Sequence, residues 1–303
     1  KNELFMYNDY EISVHMTAGA AIGGKSIMEN ADMALKQAKK TRKNFIVFDP
    51  SMQVSKQYEH NIKWTRILKD ALEDDRLLPH FQPILDISTG KITKFECLVR
   101  LIEEYGSVVP PFAFLSVAKK SKLYPQLTRA MIEQSFRAFE LTNYEFAINL
   151  SVDDIENTVT RDFIYEKLAN YTKPKRVVFE ITESEGIENF TEVLDFIKHV
   201  KSLGAKIAID DFGSGYSNFA YILKLEVDYI KIDASIIKNI VVDKNSYIIT
   251  KTIVDFCKQI GMQTIAEYVY EKDVYDVVKE LGVDFAQGYF IGEPQRDIRE
   301  FTE

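Results

Sequence analysis

Cysteine is scarce in this sequence. Its 303 residues hold two, Cys97 and Cys257, in unrelated contexts and without metal-ligand spacing, which excludes a disulfide framework and a cysteine zinc site. Positive charge is also in short supply: 38 Lys and Arg stand against 46 Asp and Glu, a net −8. That balance argues against a general nucleic-acid binder, so no DNA partner is expected, although a local site for a small anion is compatible with it. Long apolar runs are missing too. None approaches the ~20 residues that span a bilayer, and the polar opening KNELFMYNDY is not a signal peptide. The expected location is the reducing cytoplasm. The chain opens without an initiator Met, so it reads as a fragment of a protein whose upstream part, a sensor, a cyclase domain or a membrane anchor, precedes it.

What is present is a chain with 46% hydrophobic and 28% charged residues, enough for one barrel-sized domain and a smaller piece. Residues 11 to 49 read as strand, helix, strand, with Ser26 expected at the helix N-cap and Glu29 completing a capping box. From Ser51 to Asp75 an amphipathic helix is expected, carrying Tyr58, Ile62, Trp64, Ile67, Leu68 and Leu72 on its apolar side. Beyond it lie eight short apolar runs separated by helical segments: LPHFQPILDI, ITKFECLVRL, YEFAINLSV, RVVFEITES, AKIAIDDFG, VDYIKIDAS, MQTIAEYVY and VDFAQGYF. Most are nearly continuous in apolar residues, as strands covered on both faces are. The expected fold class is α/β, a (β/α)8 TIM-like barrel preceded by a small α/β piece. Only Ser88, Thr89 and Gly90 join the first two runs, too few for a parallel crossover, so one antiparallel strand is expected in the barrel.

In seven of the runs a polar residue interrupts or ends the apolar string: Glu96, Asn149, Glu180 with Glu183, Asp210 with Asp211, Lys231 with Asp233, Glu267, and Gln287. Singly, each has an ordinary reading as turn residue, helix cap or surface ion pair. In parallel strands, however, they converge on the C-terminal mouth of the barrel, and acids gathered there repel one another unless cations neutralise them. No His or Cys is among the candidates, and oxygen donors suit Mg²⁺ or Mn²⁺. Two adjacent aspartates suit a pair of such ions.

From about Ile67 onward these residues fall into an ordered series that resembles the EAL domain, the cyclic-di-GMP phosphodiesterase family. The series runs Phe81-Gln82-Pro83-Ile84, Glu96-Cys97-Leu98-Val99-Arg100, Asn149-Leu150-Ser151, Glu180-Ile181-Thr182-Glu183, Asp210 through Ser217, Lys231-Ile232-Asp233, Ala266-Glu267 and Gln287-Gly288-Tyr289. Likewise Ala31-Asp32-Met33-Ala34-Leu35-Lys36-Gln37-Ala38-Lys39 is similar to the last helix of a GGDEF domain. The expected domains are therefore a GGDEF-like remnant (1–50), a helical linker (51–66) and an EAL barrel (67–303). The resemblance implies metal-dependent hydrolysis of cyclic di-GMP to the linear dinucleotide. It implies two divalent cations: Glu96, Asn149, Glu180 and Asp210 on one, Asp210, Asp211 and Glu267 on the other. It further implies that Lys231 and Glu267 act on the attacking water, that Gln82, Leu98, Arg100, Asp233 and Gln287 contact substrate, and that the loop Phe212, Gly213, Ser214, Gly215, Tyr216, Ser217, with Glu183, supports the metal site and a homodimer face.

Three positions depart from the family pattern. Cys97 replaces the alanine of EAL, Tyr268 stands where the AEGVE motif has glycine, and Tyr270 stands where it has its second glutamate. Glu271 follows and is a candidate to compensate. An EAL domain that binds cyclic di-GMP without turning it over is the rival reading, and another metal-dependent barrel enzyme a third, since fold does not fix function. Close apolar residues at Phe219, Tyr221, Ile222, Leu223 and Leu225 suggest a helix partly covered by a second copy.

Overall fold

The computed structural model describes residues 3–7, 10–14, 16–23, 26–49, 54–182, 190–214 and 219–301. They fall into two compact units, Lys1–Ile67 and Leu68–Glu303.

In the first unit, strands Glu3–Tyr7 and Tyr10–Val14 pair antiparallel, and Ala18–Ala20 pairs in parallel with Phe45–Val47 across the helix Ile27–Lys40. The i, i+4 spacing puts Ala34 and Ala38 on one buried face of that helix. The helix lies so close to the strand that a Cβ on Gly19 would meet the backbone of Ala31 and Leu35 at 2.1 to 2.6 Å. The expected capping box does not form. Ser26 occupies the N-cap, but at φ −121° and ψ 45° it is outside the extended geometry that aims a hydroxyl at the next turn, and its side chain makes no cap bond. A long helix, Val54–Glu73, spans the boundary between the units.

The second unit is a closed barrel of eight strands: β1 (Leu77–Asp86), β2 (Lys91–Ile102), β3 (Glu145–Leu150), β4 (Val177–Thr182), β5 (Lys206–Phe212), β6 (Tyr229–Ile232), β7 (Gln263–Ala266) and β8 (Phe285–Gln287). The neighbours from β2 through β8 are parallel, while β1 runs antiparallel to both β2 and β8 and closes the ring. The Ser88–Gly90 turn forces this, because a two-strand hairpin is the only pairing it can reach. Helices fill the connections, among them Tyr124–Phe139 and Lys244–Ile260.

Register then fixes what the barrel holds. Ile84, Ala147, Val178, Ala208, Tyr229, Ile265 and Phe285, from seven strands, form one buried apolar layer. Side chains alternate along a strand, so the residues two positions on share the interior and form the next layer up. Those are Asn149, Glu180, Asp210, Lys231, Glu267 and Gln287, and on the reversed β1 the residue two positions back, Gln82. Two positions the other way, Glu145 and Lys206 join Lys94 of β2 as a polar floor: Glu145 takes a 2.6 Å bond from Lys94, a 2.9 Å bond from the Tyr229 hydroxyl and an ion pair from Lys206. Among the described residues, no helix is long and apolar enough to cross a membrane.

Candidate active site

At the mouth one ammonium group stands among acids. Lys231 Nζ lies 2.9 Å from Glu180 Oε2, 2.9 Å from Asp210 Oδ1, 3.0 Å from Glu267 Oε1 and 3.3 Å from Glu96 Oε2. Glu96 is also held by Asn149 Nδ2, which donates to Oε1 at 2.8 Å, and by Gln287 Nε2, which donates to Oε2 at 2.6 Å. Gln287 reaches Gln82 Oε1 at 3.2 Å, and Gln82 donates on to the Gly292 carbonyl. The residues expected from separate strands thus form one connected network.

The network is electrostatically unfinished. Burial works against the Lys231 charge, but Asp210, Glu180, Glu267 and Glu96 outweigh it and hold the ammonium well above its ordinary value. Burial and the Glu96 charge push Glu180 well above the carboxylate range, despite Lys231. Burial, with Asp210 and Glu96 nearby, takes Glu267 up to about 8. Asp211 rises to about 6, from burial and from the charges of Asp210 and Asp233. Glu96 alone is lowered: burial opposes its charge, but Lys231 and the amides of Gln287 and Asn149 prevail. One lysine does not neutralise the set.

The residues fit divalent cations. Oxygens of Asp210, Asp211 and Glu267 lie within 4.8 Å of one another, a spacing for one ion. Glu180 Oε1 is buried without a hydrogen-bond partner, an oxygen left open to a cation. Every donor is an oxygen, which suits Mg²⁺ or Mn²⁺. Asp211 is presented by a left-handed backbone, φ +56°, an orientation that aspartate tolerates better than most residues. Two residues on, Gly213 has φ +95°, and a Cβ there would meet Ile236 at 2.4 Å.

Two cavities share Glu96 and Leu98. One, of about 530 Å³, is walled by Gln82, Glu267, Tyr268, Tyr270, Gln287 and Tyr289; the other, of about 350 Å³, extends past Asn149, Asp210 and Asp211 to Lys119 and Tyr124. The sequence showed helical segments between the strands but did not single out Lys119 and Tyr124, because they follow no strand-end pattern. Arg100 is half-buried on β2 and donates to the Val99 carbonyl at 2.9 Å. Asp233 caps the helix Ala234–Ile237, accepting from Ser235 N at 2.9 Å. Cys97 is buried on β2, so the alanine of the EAL motif is matched by another small buried residue.

The expected loop is described only in part. Phe212 is buried and meets the Phe219 ring edge-on at 5.4 Å, and Ser214 is exposed. Glu183, Gly215, Tyr216 and Ser217 lie outside the described residues. In the helix Phe219–Leu225, Ile222 and Leu225 are buried and Phe219 packs on Phe256 at 4.7 Å; Leu223 is exposed. The chain itself thus absorbs three of the five residues offered as a dimer face.

A family model for the EAL domain matches residues 65–294. The chain belongs to the EAL family. This EAL chain is 31% identical over 294 residues to the cyclic di-GMP phosphodiesterase PdeB of Shewanella oneidensis, covering 94% of its own length and 34% of that relative's. It is 31% identical over 259 residues to the cyclic di-GMP phosphodiesterase PdeF of Escherichia coli, covering 84% and 34%. The chain spans about a third of the length of these curated relatives. Among solved structures, the EAL fold matches the PaMucR phosphodiesterase in complex with c-di-GMP, from Pseudomonas aeruginosa, with a TM-score of 0.73, 25% identity and coverage of 78% and 99%. The BlrP1 manganese and cyclic-diGMP complex of Klebsiella pneumoniae shares the fold at a TM-score of 0.65, 24% identity and coverage of 73% and 56%.

Proposed function

We propose that this chain hydrolyses cyclic di-GMP to linear pGpG. The observation that carries the reading is the ring of Glu96, Asn149, Glu180, Asp210, Asp211 and Glu267 around Lys231, at the mouth of a barrel whose relatives are named cyclic di-GMP phosphodiesterases. Glu96, Asn149, Glu180 and Asp210 would hold one divalent cation, and Asp210, Asp211 and Glu267 a second, with Asp210 common to both. Such ions polarise the phosphodiester and make water a better nucleophile at neutral pH.

The chain's own groups position and balance. Lys231 keeps its proton, offsets the carboxylates and offers a donor to the attacking water. Glu267, which would be a ligand of the second cation, is the other candidate to activate that water. Gln82 and Gln287 steady Glu96 and face the larger cavity, where Leu98 supplies an apolar floor. Arg100 offers a planar fork of donors for phosphate, and Asp233 acts through Asp211 and its helix cap. Residues 1–50 would be the end of a GGDEF-like domain, a reading supported by the run Ala31 to Lys39 lying on the helix Ile27–Lys40.

The second reading, a receptor that binds without turnover, is favoured by Tyr270 in place of a motif acid. Incubating the purified chain with cyclic di-GMP and Mg²⁺ or Mn²⁺, followed by chromatography, separates the two. Appearance of pGpG, suppressed by Ca²⁺ with its longer bonds and looser geometry, is expected. Intact substrate after prolonged incubation would reject the enzyme reading.

A further inference from the structure

Tyr268 and Tyr270, the two departures from the family motif, stand side by side on the wall of the larger cavity. Their ring centroids are 5.4 Å apart with a 54° tilt, and both rings are substantially exposed. The backbone beneath is built to hold them there. Between the two, Val269 is fully buried; its N–H donates to Gln287 O at 2.9 Å and its carbonyl accepts from Phe290 N at 3.0 Å. Gly288 presses so close to Val269 that a Cβ would sit 2.2 Å from its carbonyl oxygen. This pinning keeps Tyr268 at φ +56°, a left-handed conformation that a bulky aromatic rarely adopts and that the family's glycine would adopt freely. A strained, non-glycine residue held in place at a cavity wall points to a function for the side chain. Glu271, the candidate to replace the missing motif acid, is not among the cavity-lining residues; its carboxylate bonds instead to the Tyr270 hydroxyl.

We infer that Tyr268 and Tyr270 form an aromatic wall that stacks a purine base of the bound dinucleotide, replacing polar recognition at this edge of the site by π contact. The inference rests on the phosphodiesterase reading for the ligand's identity. Tyr289, Glu96, Gln287 and Glu267 line the same cavity as the pair, so a base attached to a phosphodiester at the cations those acids would hold falls within reach of the rings. Stacking tolerates any base, because each has a π-face, whereas an acid selects by hydrogen bonding.

The test uses the whole chain and a cyclic dinucleotide with 2-aminopurine in place of one guanine, whose fluorescence is quenched by stacking on a ring. It is titrated with Ca²⁺ in place of Mg²⁺, and hydrolysis of cyclic di-GMP is followed in parallel. The parent and Tyr270→Phe are expected to bind and quench alike. Tyr268→Gly and Tyr270→Ala are expected to lose the quenching and weaken binding by about 5- to 100-fold. Tyr268→Gly removes the strained residue, so loss of fold does not confound it, and Tyr270→Ala gives an independent reading. Undiminished quenching and affinity in both variants, with hydrolysis by the parent intact, would overturn the aromatic wall and leave the phosphodiesterase standing. A parent that neither binds nor hydrolyses would overturn both.

Discussion

Lys231 is 1% exposed and faces four carboxylates within 3.3 Å, so it serves the fold as well as the chemistry. Replacing it by alanine leaves those acids without their cation. Breaking such a buried pair costs about 3–5 kcal/mol, so Lys231→Ala should show that loss in urea denaturation without added metal, together with loss of turnover. The acids have the opposite balance. Glu96→Ala or Asp210→Ala removes a ligand but leaves Lys231 three carboxylate partners, so the fold should survive while hydrolysis falls by roughly 1000-fold or more, the equivalent of several kcal/mol of lost metal catalysis. Near-parental turnover in a folded variant of either would refute the ligand assignment. These residues were legible in the sequence because each interrupts an apolar string. The significance of Tyr268 was only half legible: the missing glycine showed, but its left-handed backbone and its neighbour across Val269 appear only in three dimensions.

Among the elements, the strands read most easily, because burial on both faces leaves near-continuous apolar runs, and the short Ser88–Gly90 turn decided the reversed direction of β1. The helices read less well. The N-cap at Ser26 matched by residue type, yet its backbone angles keep the hydroxyl from the cap. The five apolar residues at 219–225 suggested an uncovered face, while Phe219 packs on Phe212 and Phe256 and Ile222 and Leu225 are buried. The barrel floor was not foreseen, since Glu145 and Lys206 begin their strands, and Lys94 lies near the start of its own, as ordinary charged flanks. Burial would raise Glu145, but Lys94 and Lys206 hold it below the ordinary carboxylate range. A lowered folded value means that its contribution is present above the unfolded pKa, about 4.3, and is lost as pH falls through the folded value. Glu145→Gln should therefore destabilise by about 3 kcal/mol at pH 7, with the gap to the parent narrowing below about pH 4 in denaturation series. A gap independent of pH would show that packing, and not charge, accounts for the floor.

For the molecule as a whole, unneutralised acids at the mouth couple metal binding to folding. Saturating Mg²⁺ or Mn²⁺, at about 100 times its dissociation constant, should raise the thermal midpoint by on the order of 5–10 °C over the chelated protein. Asp210→Ala should lose most of that rise, and an equal rise in both would place the ions elsewhere. Assembly is a separate prediction: we propose a homodimer near the helix Phe219–Leu225, where Leu223 is exposed. Light scattering over a concentration series should show dimerisation that Leu223→Glu weakens, and a parent that stays monomeric while fully active would end the proposal. The reversal of β1 has a mechanical consequence as well. In an all-parallel barrel the first strand starts at the floor, whereas here Leu77 pairs with Leu101 at the rim and the strand descends from the mouth. Tension on the chain ahead of Leu77 is thus applied at the catalytic rim, five residues from Gln82, and an optical-trap pull from the N-terminus should strip the hydrogen-bond chain through Gln287 to Glu96 before it disturbs the floor.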